Sequence, residues 1–123
     1  HAALALHRAT GNRRSEGVVL GDLAGLMAAT ERAAEAERLF GQALEIHRAV
    51  CDRLHESTHL CGFALCLLAQ GRVREAARSW REGAGIARSL DDVHGLEARI
   101  AAMRAACAKA GVEAFDAGET GVS

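Results

Sequence analysis

The sequence predicts an all-α fold, and three observations carry that expectation. The first is composition: the 123 residues contain no proline and no tyrosine, aromatic residues make up 3%, and alanine fills 27 positions, a mixture poor in strand formers and rich in the best helix former. The second is periodicity, with apolar residues recurring at i, i+3, i+4 and i+7, as in Leu20, Leu23, Ala24 and Met27 or Leu60, Phe63, Ala64 and Leu67. The third is self-similarity at an offset of 40 residues, a spacing that signals stacked supersecondary units. A mass of 12.9 kDa is one domain's worth of chain with a modest core.

Taken in order, residues 1–11 read as the second helix of a preceding repeat. The run ALALHRA from Ala3 to Ala9 returns as ALEIHRA from Ala43 to Ala49 and, more loosely, as GAGIARS from Gly83 to Ser89. A turn is expected near residue 11, followed by Asn12 as the cap of a first helix over 13–29. A turn near 31 leads to a second helix over 33–49, which closes repeat one, residues 12–51. Asp52 then caps a first helix over 53–69, Gly71 turns the chain, and a second helix over 73–89 completes repeat two, residues 52–91. Asp92 caps the first helix of a third copy, residues 92–112, so the array spans 1–112 with five principal helices and turns near 11, 31, 51, 71 and 91. Residues 113–123 read as a frayed tail.

Each pair of helices reads as an antiparallel hairpin. Small residues at Ala24 and Ala64, and at Ala36 and Ala76, let helices approach closely, while Phe40 and Trp80 fill the space between them. Leu60, Phe63, Ala64, Leu67, Gly71, Ala76, Trp80 and Gly83 together resemble the tetratricopeptide repeat, as do Leu20, Leu23, Ala24, Met27, Ala36, Phe40 and Ala43 in the first copy. Three features depart from the pattern. The 40-residue period exceeds the usual length of about 34 residues and is similar to the longer-helix variety of kinesin light chains and large bacterial signal-transduction regulators. Glu31 replaces the first turn glycine, and the proline after the second helix is missing. In the third copy Arg104 stands where a small residue belongs and Asp116 where alanine belongs, which marks that copy as degenerate or as a cap.

The resemblance implies an α-solenoid whose ligands lie along its concave face, on first-helix residues just off the core stripe. Those positions are Val18, Gly21, Gly25, Ala28 and Ala29, then Thr58, Cys61, Leu65, Leu68 and Ala69, then Ala98, Ala101, Ala105 and Ala108. None is charged, which disfavours clamping of a peptide carboxylate, because a buried carboxylate needs Lys, Arg or Asn partners. A shallow groove for the apolar face of a helix or an extended apolar peptide is the expectation. The alternative is that these residues pack against neighbouring helices.

His47, Cys51, His55 and His59 stand at intervals of four, which on one helix would make a stripe of zinc or nickel ligands. The repeat alignment breaks the helix at 50–52, so the stripe reads as surface histidines, with a metal-responsive module as the weaker alternative. Cys51, Cys61, Cys66 and Cys107 lack CxxC spacing and read as reduced structural thiols of a cytoplasmic protein. No cofactor is implied, and no phosphate loop, HExxH or GxSxG motif suggests an enzyme. Fifteen basic against sixteen acidic residues give a net charge of −1, which provides no footprint for nucleic acid or an anionic membrane. Arginine's dominance over lysine fits a GC-rich bacterial genome. The expected partner is therefore a protein or peptide, with homo-oligomers forming through the groove or the exposed repeat ends. A structural spacer or sensor arm in a larger regulator, with no ligand of its own, is the rival reading.

Overall fold

Why the chain folds where it does is clearest at its turns. The computed structural model describes residues 2–116, and among them are five helices: α1 (Ala2–Ala29), α2 (Ala33–Ala49), α3 (Arg53–Ala69), α4 (Val73–Ser89) and α5 (Val93–Ala110). Each helix ends in the same device. The residue at position 31, 51, 71, 91 or 111 takes a positive φ, and the next backbone N–H reaches back to a carbonyl five residues earlier. Those bonds run from Arg32 to Met27, Asp52 to His47, Arg72 to Leu67, Asp92 to Ala87 and Val112 to Cys107, at 2.8 to 3.0 Å. Only Gly71 and Gly111 hold that conformation without a Cβ penalty; Glu31, Cys51 and Asp91 hold it at φ of 63°, 58° and 55°. Asp52 and Asp92 cap α3 and α5 by accepting from the N–H of His55 and Gly95. Arg32 and Arg72 open α2 and α4 without a side-chain cap.

The expected turn near residue 11 is not present. Helix α1 runs unbroken through Gly11 and Asn12, so Asn12 sits inside a helix instead of capping one. Extending an existing helix adds a hydrogen bond per residue, whereas a separate ten-residue helix must repay its own nucleation through packing. Downstream, the turns fall at 30–32, 50–52, 70–72 and 90–92.

Helices α1 and α2 form one hairpin and α3 and α4 the next, and α5 packs on α3 and α4. The first helices α1, α3 and α5 touch in succession, whereas the backbones of α2 and α4 stay apart. That difference curves the stack and places α1, α3 and α5 on its inner side. Arg72–Glu37 and Arg48–Glu82 ion pairs span the gap on the outer side. Trp80 is buried among Cys61, Ala64, Leu67, Ala76 and Met103, and Phe40 lies among Ala24, Ala36 and Leu39, its ring 5.5 Å from that of Phe63. Ser57 donates to the Gly83 carbonyl and Ser79 to that of Leu60, both at 2.7 Å. A Cβ on Gly83 would lie 3.0 Å from the Ser57 oxygen, so α3 and α4 approach closely there.

Residues 112–116 do not fray. Phe115 is buried in the Trp80 cluster and its N–H points at the Met103 sulfur, while Arg104 holds buried Asp116 through both carboxylate oxygens. The two residues that depart from the repeat pattern thus pair with each other and fasten a cap over α5. The rest of the expected tail lies outside the described residues. No helix among the described residues is long and apolar enough to cross a membrane.

Candidate functional site

Small residues on α1 and α3 leave two adjoining hollows on the inner side of the stack. Gly25, Ala28 and Ala29 of α1 face Gly62, Leu65, Cys66 and Ala69 of α3 across a hollow of about 310 Å3, floored by Ala33 and Phe40. Leu65, Leu68 and Ala69 then face Ala106, Lys109 and Ala110 of α5 across a second, of about 470 Å3. Leu65 and Ala69 form the ridge between them, and Lys109 is the one charged residue lining either hollow among the described residues.

The residues expected along this face divide into three groups. Gly25, Ala28, Ala29, Leu65, Leu68 and Ala69 line the hollows. Gly21 and Cys61 do not: a Cβ on Gly21 would lie 2.2 Å from the His59 ring, and the Cys61 sulfur sits 2.9 Å from where Gly83 would carry one. Both are contact points between helices, and burial pushes the Cys61 thiol up to about 11. Ala98, Ala101 and Ala105 are exposed on α5, and Val18 and Thr58 are half-buried, with the Thr58 hydroxyl donating to the Leu54 carbonyl. Ala106 and Ala110 were missed because the repeat register was transferred to α5 unchanged, and Lys109, which that register does reach from Ala69, was passed over. An i, i+4 small pair at 106 and 110 was the available signal.

The histidines are not on the surface. His47 and His59 are 0% and 5% exposed, and with half-buried His55 they form a stack whose ring centroids lie 5.0 to 6.2 Å apart. The helix break that parts the stripe in sequence folds α2 back beside α3 and reunites it in space. Glycines on α1 make the room, since a Cβ on Gly17 would lie 3.0 Å from the His47 ring. His59 Nε2 donates to Asp22 Oδ1 at 3.2 Å, which leaves its Nδ1 to accept from His47 Nε2 at 2.8 Å. His55 donates from Nδ1 to Asp52, which also meets Arg14 at 3.4 Å. Burial, followed by the facing His59, holds the His47 imidazole below its ordinary value; burial does the same to His59 against the opposing pull of Asp22. Among the described residues no three His, Cys, Asp or Glu groups are arranged to hold a metal ion. Cys51 stands exposed at the turn, apart from the stack.

Repeated hairpins with first helices inside, second helices outside and an aromatic wedge in each match what comparison with protein families finds. A model described as Tetratricopeptide repeat covers residues 15–89. The chain belongs to the tetratricopeptide repeat family. No curated protein and no solved structure matches it. Tetratricopeptide repeats are, as a class, non-catalytic scaffolds for protein–protein interaction. The matched span contains the α1 part of the first hollow, all of α2 and α3, and α4.

Proposed function

We propose that this tetratricopeptide array binds the apolar face of a helix, or an extended apolar peptide, along the inner hollows between α1, α3 and α5. The observation that carries the proposal is the continuity of the two hollows across Leu65 and Ala69, with walls of glycine and alanine. Small side chains let a partner backbone approach, and apolar walls remove its face from water at about 25 cal/mol per Å2. Near absence of charge there argues against capture of a terminal carboxylate. A cytoplasmic bacterial regulator is the setting we favour for such a module.

The experiment is selection from a displayed library of amphipathic helical peptides, with Leu65→Glu and Ala69→Glu as counter-selecting variants. Enrichment of peptides with an apolar i, i+3, i+4, i+7 face, lost in both variants, supports the groove. Enrichment that ignores both substitutions places recognition elsewhere, and failure to enrich any peptide favours a spacer or sensor arm. Self-association is a second reading with its own observation. Val19 and Leu26 of α1 are 63% and 66% exposed, and Leu23, in the register of buried Met103, is 39% exposed. Light scattering of Leu26→Lys against the parent chain tests it, with loss of oligomers expected.

A further inference from the structure

The outer surface of α4 is divided by charge. On the side toward α2, Glu75 and Glu82 are engaged by Arg72 and Arg48. Facing residues 112–115, Arg74, Arg78 and Arg81 follow one another at i, i+4 and i+7, a single helical stripe in which Arg78 stands at the border with the Glu75 and Glu82 side. They line a cleft of about 690 Å3 whose floor is apolar, formed by Val73, Ala77 and Phe115, with Glu113 the one acidic residue at its edge among the described residues. Eight other arginines are spent on carboxylates: Arg13, Arg14, Arg32, Arg48, Arg53, Arg72, Arg99 and Arg104 all make ion pairs. Arg74, Arg78 and Arg81 make none among the described residues, and all three are exposed.

We infer that this cleft docks a short acidic segment of a partner protein, with carboxylates on the arginine stripe and an apolar side chain on the floor near Phe115. Guanidinium groups match carboxylates in planar, two-pronged hydrogen bonds, and a helical stripe spaces three of them along an extended peptide. The apolar floor supplies what a solvated charged face lacks, a surface that gains from losing water. A polyanion fits less well, because the whole chain carries a net charge of −1 and offers a long charged strand no extended basic field. The cleft opens on the outer side of the stack, opposite the inner hollows, so the two surfaces can be occupied and tested separately.

The test uses the full chain and a fluorescein-labelled peptide of glutamates interrupted by phenylalanine, followed by fluorescence polarisation at physiological salt, where a Debye length of about 8 Å screens diffuse attraction. Saturable binding is expected. The combined Arg74→Gln, Arg78→Gln and Arg81→Gln variant should weaken it at least about tenfold while keeping its helical circular dichroism and Trp80 emission. Arg38→Gln, which removes an exposed arginine of α2, and Leu65→Glu, in the inner groove, should leave it unchanged. An all-glutamate peptide should bind more weakly. Absence of saturable binding, an equal loss with Arg38→Gln, indifference to the triple substitution, or equal binding of the all-glutamate peptide would overturn the proposal. So would a single-stranded oligonucleotide that binds through the same arginines more tightly than the peptide.

Discussion

Three residues hold a backbone conformation that their side chains disfavour. Glu31, Cys51 and Asp91 sit at positive φ where Gly71 and Gly111 show what the turn asks for, and a Cβ in that region costs roughly 1–2 kcal/mol. Glu31→Gly and Asp91→Gly should therefore each stabilise the chain by about 0.5–1 kcal/mol, the gain being trimmed by glycine's larger unfolded entropy; urea midpoints at constant slope measure it. Gly21 has the opposite requirement. A methyl there meets the His59 ring, which is hydrogen-bonded on both nitrogens, so Gly21→Ala should cost about 1–3 kcal/mol as overpacking does. The histidine stack also gives stability a pH dependence. His47 and His59 are held below 6.5 in the folded chain, so unfolding takes up protons as pH falls below that value. Stability should be full above about pH 6.5 and decline toward the folded values below it. His59→Gln should flatten that slope, and an unchanged slope would show that the buried pair does not titrate as its burial demands.

At the scale of the element, four of the five turns were legible in sequence because the residues on both sides repeat. Asp52 and Asp92 were readable as caps, and Phe40 and Trp80 as wedges, since each rests on local chemistry at a fixed offset. Trp80→Ala should cost about 3–5 kcal/mol and abolish the blue-shifted emission of the parent; a loss below about 1 kcal/mol would contradict its place between α3 and α4. The continuity of α1 was not legible, because Gly11 and Asn12 are as good a turn signal as the later ones, and continuing a formed helix avoids the cost of nucleating a second one. Arg104 and Asp116 looked like defects in the repeat, and a pairwise contact across twelve residues cannot be read from either alone. The same holds for the histidine stack: spacing gave the stripe, but its burial depends on Gly17 and Gly21, which belong to a helix forty residues away in the repeat register.

The whole molecule is a short stack in which first helices touch and second helices are held apart, and that asymmetry makes both surfaces argued above. The inner hollows exist because the contacts among α1, α3 and α5 are made by residues too small to fill them, and the outer cleft exists because residues 112–116 close back on α5 beside α4. Of the fourteen positions expected along the inner face, Gly25, Ala28, Ala29, Leu65, Leu68 and Ala69 line the hollows, as helical spacing places them. Gly21 and Cys61 lie in the same stripe, but the His59 ring closes over Gly21 and α4 at Gly83 closes over Cys61, so burial replaces access. The central claim is that the inner face receives an apolar partner, and its most direct measurement is amide chemical-shift mapping of the full chain titrated with a library-selected helical peptide. Shifts should concentrate at Gly25, Ala28, Leu65, Ala69 and Ala106, and saturate together. Shifts confined to α2 and α4, or a selected peptide that moves none of those five residues, would contradict the claim.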